Sequence, residues 1–274
     1  MTIGSARSSS AARHGVLLRV AYDGRGFHGF APQPDQRTVA GELLGALRTI
    51  DPTIDEVRGA SRTDAGVHAR DQRVAFDAVK DFPVTAWTGG AQRELPETIS
   101  IRAAASVAER FSPRANAIAK TYRYLLLGDE QRDPFLDGRS WRVPEACSLA
   151  GVQRMSDEAS SLVGTRDFAA FRGAADQRDN TVRTIHDVTV ERSAEDARLV
   201  RVDVRGDGFL YNMVRIVVGT LVDVARGRLA PGAVSRALGS HDRRDAGITA
   251  PPDGLTLHRF EMKGDDERGW TTPC

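Results

Sequence analysis

A chain of 274 residues with a net charge of +1 has room for one large α/β domain or two smaller ones, and its neutral balance announces no polyanionic partner. Hydrophobic residues make up 41% and charged residues 27%, and no apolar run approaches the roughly 18–20 residues that a membrane helix needs. The two cysteines, Cys147 and Cys274, lie far apart without CxxC spacing, which argues against a disulfide scaffold or a zinc ribbon and fits a reducing cytoplasm.

Met1–His14 is rich in Ser, Ala and Arg, carries no acid, and reads as a disordered tail. Val16–Tyr22 is a β-branched apolar run ending at Asp23-Gly24, a strand followed by a turn, with Gly24, Gly26 and Gly29 forming a flexible loop. Thr38–Ile50 carries Val39, Leu43, Leu47 and Ile50 at helical spacing, with Thr38 placed to cap. Alternation at Val74, Phe76 and Ala78, and again at Ile99, Ile101 and Ala103, predicts two strands. The first half therefore reads β-α-β-β-β, with Arg62–His68 on a connection.

Ala117–Leu127 reads as a long strand, and the stretch Arg110–Leu127 holds Arg110, Arg114, Lys120 and Arg123 without an acid. Ser148–Val163 predicts a helix capped by Ser148, with Leu149, Val152, Met155, Ala159 and Leu162 on its apolar face. Val182–Arg192 and Leu199–Arg205 read as paired strands. Phe209–Ala225 is the most apolar helix, Pro231 opens a short one at its first position, and Leu255–Met262 closes as a strand. Gly264–Cys274 reads as a polar tail. The order of strand, helix and strands occurs twice, predicting an α+β protein of two halves, 15–116 and 117–263, each a mostly antiparallel sheet with helices on one face.

The segment Ser61-Arg62-Thr63-Asp64-Ala65-Gly66-Val67-His68 concentrates polar groups. Gly66 permits a sharp turn, Thr63 can bond locally, and Asp64 stands between a cation and a glycine. By itself this describes an Asx-type turn as well as a reactive carboxylate. Other chemistries drop out: the chain has no GxxxxGK[ST], no GxGxxG before a helix, no HExxH and no GxSxG. What remains is chemistry by an activated carboxylate, without metal or nucleotide cofactor.

Arg62–His68 resembles the signature of the TruA family of tRNA pseudouridine synthases, and the resemblance continues along the chain. Leu18–Gly29, Leu95-Pro96 with Ile99-Ser100-Ile101, Phe111–Arg114 through Lys120–Tyr124, Thr181–Ile185, Phe209–Arg215 and Ala250–Leu257 resemble further blocks of that family in order, covering about residues 16 to 262. Two positions depart from the pattern: Ala31 and Ala40 stand where glutamine is frequent, which bears on RNA contacts of the first loop and leaves Asp64 untouched.

The resemblance implies the pseudouridine synthase fold with its cleft between the halves, and a homodimer across which one tRNA lies. It also implies isomerisation of uridines 38, 39 and 40 of the anticodon arm, with Asp64 as nucleophile at C1′ or the uracil ring. It further implies that Arg62 holds or replaces the flipped nucleotide, that Tyr122 stacks on the uracil and helps move the C5 proton, and that Phe209 packs beneath the base. Arg215, on an otherwise apolar helix, needs a partner if buried, and the resemblance implies that the partner is Asp64, which it keeps ionised. Arg114, Lys120, Arg123 and Arg183 are candidate phosphate contacts. Two rival readings are a non-catalytic RNA-binding protein of the same fold and an aspartate-nucleophile hydrolase; the second lacks a DxDx[TV] motif and metal ligands.

Overall fold

A computed structural model describes residues 13–272. In chain order the elements are β1 (His14–Tyr22), α1 (Val39–Ile50), β2 (Arg58–Gly59), β3 (His68–Ala78), α2 (Val84–Glu94), β4 (Ile99–Val107), β5 (Ala117–Leu127), β6 (Trp141–Arg142), α3 (Leu149–Ala159), β7 (Gly164–Asp167), β8 (Val182–Arg192), β9 (Leu199–Gly206), α4 (Met213–Ala225), α5 (Ala233–Ser240) and β10 (Leu255–Met262). The two halves share one mixed sheet of order β4-β1-β3-β10-β5-β9-β8-β7, with β2 and β6 at its margins. β10 joins them, pairing antiparallel with β5 over most of its length and parallel with β3 at Thr256 and Leu257. Apart from that contact and the short β5–β6 pair, the ladders are antiparallel.

Alternation along the strands sorts side chains onto two faces. Val16, Leu18 and Val20 of β1 join Leu43 and Leu47 of α1 and the apolar side of α4 in the main core, whereas Leu17, Ala75, Phe260 and Met262 form a smaller cluster. The caps expected at Thr38 and Ser148 are present, their hydroxyls accepting from Gly41 N–H at 3.2 Å and Gly151 N–H at 3.0 Å.

Several elements differ from expectation. α2 is unforeseen because Gly89 and Gly90 and the lack of a side-chain cap weaken its local signal; the fully buried Trp87, edge-on to Phe76 at 4.9 Å, anchors it instead. α4 starts at Met213, not Phe209, since Asn212 takes a left-handed φ of 58° and holds Phe209–Tyr211 in a loop. Pro231 precedes α5 by two residues, with Gly232 between at φ 80°. Leu149, expected on the apolar face of α3, is 78% exposed.

The stretch 264–272 is not a free polar tail. Thr271 and Ala104 exchange backbone hydrogen bonds of 2.9 and 3.0 Å. Trp270 packs on the smaller cluster, with the guanidinium of fully buried Arg73 5.3 Å from its ring. Arg73 also pairs with Asp265 at 2.8 Å and with Asp71, so this stretch supplies charge and cover to a cation inside the sheet. The expected N-terminal tail falls mainly on residues 1–12, outside the described part; His14 already belongs to β1. No helix among the described residues is long and apolar enough to cross a membrane.

Candidate active site

The segment between β2 and β3 is held from below by β3 and from the side by the first loop. Fully buried Gln72 grips Ser61 at both backbone groups, its Oε1 accepting from Ser61 N–H (3.1 Å) and its Nε2 donating to the Ser61 carbonyl (2.8 Å). The Tyr22 hydroxyl lies 2.7 Å from Thr63 Oγ1. Phe30 N–H donates to the Thr63 carbonyl, Gly66 N–H to the Phe27 carbonyl, and Val67 N–H closes a turn on the Asp64 carbonyl. Gly66, at φ 78°, supplies the backbone conformation that this turn demands.

The first loop is therefore a clamp and not a flexible connection. Gly24 N–H donates to Nδ1 of buried His68, whose Nε2 lies 3.0 Å from the carbonyls of both Gly138 and Asp253. His68 thereby ties the Asp64 segment to the second half. A Cβ on Gly24 would stand 2.1 Å from the Val67 carbonyl oxygen, and one on Gly29 2.8 Å from that of Thr63. Gly24→Ala is expected to push the two loops apart, costing about 1–3 kcal/mol of stability as overpacking does. Denaturant unfolding checks this; an unchanged midpoint would show that the clamp gives way freely.

Above the segment opens a cavity of about 390 Å³, lined by Ser61–Asp64 from the first half and by Tyr122, Phe209–Arg215 and Leu255 from the second. Asp64 faces it with its side chain 17% exposed, and Arg215 Nη1 stands 3.9 Å from Asp64 Oδ2. That contact is long because the guanidinium is committed elsewhere: Nε donates to the Ala250 carbonyl at 2.7 Å and Nη1 to Asn212 Oδ1 at 2.9 Å. Burial consequently outweighs the arginine, pushing the Asp64 carboxyl up to about 6, against the expectation that Arg215 fixes it low. At neutral pH it remains about nine-tenths ionised.

Tyr122 is buried on β5, its ring edge-on to Phe209 at 5.1 Å. Burial pushes its hydroxyl up to about 12, with Ser61 opposing and the Asp64 charge adding to the shift, so the phenol keeps its proton at neutral pH. Tyr124, two residues on, packs in the core and donates to the Pro251 carbonyl at 2.7 Å. Arg62 is exposed at the cavity mouth.

The expected basic contacts separate. Arg114 and Lys120 line the cavity. Arg123 points away from it, locked to its cross-strand partner Asp203 by two hydrogen bonds of 2.8 and 2.7 Å, so it is not part of this surface. Arg183 is not among the lining residues; its guanidinium bonds the Asn180 carbonyl at 3.1 Å, and burial first, then Arg178 among its neighbours, holds its pKa below the usual arginine range. Sequence reasoning missed Asp176 and Arg178, which pair with each other on one lining loop while Asp176 Oδ2 accepts from Tyr211 N–H at 2.8 Å. It also missed the bracing by Tyr22 and Gln72, which carries no local motif.

Residues 159–261 match the tRNA pseudouridine synthase family model. The chain is 40% identical over 262 residues to tRNA pseudouridine synthase A of Halalkalibacterium halodurans, covering 94% of this chain and 97% of that protein. It is 39% identical to the enzyme of that name from Geobacter sulfurreducens, with 90% and 99% covered, and 40% identical to that of Brevibacillus brevis, with 87% and 95% covered. Identity of this order over nearly both full lengths spans the Asp64 segment, the cavity-lining loop before α4 and β10 together; the chain belongs to the tRNA pseudouridine synthase A family of isomerases.

Proposed function

We propose that this protein isomerises uridine to pseudouridine at positions 38–40 of the tRNA anticodon arm, with Asp64 as the nucleophile. The observation that carries this reading is the state of that carboxylate. Of the two acids that line the cavity among the described residues, Asp176 is consumed by Arg178, while Asp64 keeps an open face toward the space beside Tyr122.

The reaction exchanges the N1–C1′ bond for a C5–C1′ bond; C5 loses a proton and N1 gains one, so no electrons enter or leave. A base still stacked on its neighbours cannot enter the cavity, so the target flips out at a cost of roughly a few kcal/mol. Tyr122 then stacks on the uracil with Phe209 behind it, Arg62 at the mouth holds the flipped nucleotide, and Arg114 and Lys120 meet the backbone. Asp64, ionised without a partner base, attacks C1′ or the ring and is released when the new bond forms. The chemistry needs no metal or nucleotide cofactor. A tRNA arm exceeds the footprint of one cleft, so the reading includes a homodimer shared by one tRNA, working in the cytoplasm.

The test is release of tritium from uridine C5 in unmodified tRNA, with uridines 38, 39 and 40 replaced singly by cytidine. Release is expected from each of the three positions. No release from any tRNA would favour a non-catalytic RNA-binding protein, and release from uridines elsewhere would overturn the assigned positions.

A further inference from the structure

Lys120 is the least ordinary charge in the cleft. It sits on β5, is only 9% exposed, and lines the same cavity as Asp64. Its Nζ donates one hydrogen bond, to the Ala60 carbonyl at 3.0 Å. An ammonium has three donors, and a buried one ordinarily has a carboxylate beside it. Here, among the described residues, no carboxylate lies within 4 Å of Nζ, and the charges that act on it most are the cations Arg114 and Arg178. Arg178 is occupied by Asp176, whereas Arg114 is exposed at the cavity and lacks an acidic partner within 4 Å among the described residues. Burial, with the two arginines reinforcing it, lowers the Lys120 ammonium to about 8.

A buried cation at the cavity wall, balanced only by the Ala60 carbonyl and the Phe260 ring at 5.9 Å and flanked by a second cation without an acid, is a site that wants an anion. A cavity of about 390 Å³ that also receives a uridine brings one kind of anion with it, the phosphodiester attached to that nucleotide. We infer that Lys120, with Arg114, binds a backbone phosphate flanking the flipped uridine, and that Lys120 is thereby a specific subsite for the reacting nucleotide and not a general surface contact. This inference rests on the tRNA-modifying reading above. The Ala60 carbonyl that Lys120 also holds directly precedes Ser61, so phosphate binding and the seating of the Asp64 segment share one side chain. The phosphate would supply the missing counter-charge, and Lys120 would bind its proton more tightly in the complex than in the free protein.

The test pairs Lys120→Met with tRNA carrying a neutral methylphosphonate in place of the phosphate 5′ or 3′ of the target uridine, each made in turn. With unaltered tRNA, Lys120→Met is expected to weaken binding about 10- to 100-fold, the loss of one charge-assisted contact, and to lower the slope of log K against log salt by about one. One of the two neutral linkages should weaken the wild-type protein to a similar extent and leave the variant nearly unaffected. Calorimetry of wild-type binding near pH 8 in buffers of different ionisation heat should show uptake of up to about half a proton, absent in the variant.

The Lys120→Met chain should also be no less stable than wild type, because the buried charge it loses has no acidic partner among the described residues. Two outcomes overturn the inference: both neutral linkages weakening the variant as much as wild type, or a destabilised variant with an unchanged salt slope, which would make Lys120 only an anchor for Ala60. Tritium release by the wild-type protein separates either failure from a failure of the underlying function.

Discussion

Asp64→Asn is expected to abolish pseudouridine formation, by more than about 10³-fold as for loss of other enzymic nucleophiles, and at the same time to stabilise the protein at neutral pH. The first effect follows from the loss of the only open carboxylate that the described residues bring to the cavity. The second follows from the site's electrostatics. In the folded protein burial holds the Asp64 carboxyl near 6, above the roughly 3.9 of an unfolded chain. The native state therefore binds that proton more tightly, and stability from this group is greatest below about pH 4 and falls as pH rises toward 6. Above that window the ionised carboxylate costs of order 1–3 kcal/mol, discounting for its residual exposure. Asparagine removes the charge and the cost. Urea unfolding at pH 5 and pH 8 checks this: the wild-type protein should lose stability relative to the variant between the two. Equal pH dependence in both would mean that Asp64 is not the strained group. Binding of tRNA should survive in the variant, since Asp64 makes no phosphate contact in this reading.

Arg215→Gln is the second large effect. Arg215 is the charge that opposes burial at Asp64, so its removal raises the carboxyl above about 6. The acid limb of the single-turnover rate should move upward by about one pH unit or more, the effect expected of losing a cation at this distance. At pH 7 the rate should fall about tenfold or more, of which the roughly twofold part due to lost ionisation is recovered near pH 9. Recovery stays incomplete because the guanidinium also fixes the Ala250 carbonyl and Asn212, and so the loop before α4. Arg215→Lys keeps the charge but not the planar fork that serves both partners, and should recover the pH profile more fully than the rate. A rate loss equal at pH 6 and pH 9 in Arg215→Gln would assign the arginine to scaffolding alone.

The parts of the fold that were readable from sequence are those where local chemistry and tertiary context agree. β5 and β10 alternate and are β-branched or aromatic, and α1 combines a threonine cap with an apolar stripe. What escaped are elements stabilised from a distance. α2 has a glycine pair in its middle and survives because Trp87 is buried against the sheet. The start of α4 is set by one left-handed asparagine that places Phe209 and Tyr211 in the cavity wall. The stretch after β10 looks polar, yet one of its charges, Asp265, pairs with a buried arginine that no neighbouring residue announces. For the site, the Asp64 segment was legible as a motif. The pull of burial against Arg215 was not, because it depends on where the guanidinium's other hydrogen bonds go. Arg123 shows the converse: a basic strand segment suggests RNA, yet every second side chain on a strand faces the other way, and there Asp203 takes it.

The position of β10 bears on how the protein comes into being. The strand that joins β3 to β5 in the middle of the sheet lies at residues 255–262, after every other strand and every helix. During synthesis each half can collapse around its own hairpins, but the sheet has a gap at its centre until these residues leave the ribosome. Leu255 of β10 also lines the cavity, and Asp253 and Ala250 just before it receive His68 and Arg215. The cleft is thus completed by a strand that follows all the other described strands in the chain. A nascent chain caught before that moment carries the Asp64 motif without the wall at Leu255 or the carbonyls that hold His68 and Arg215.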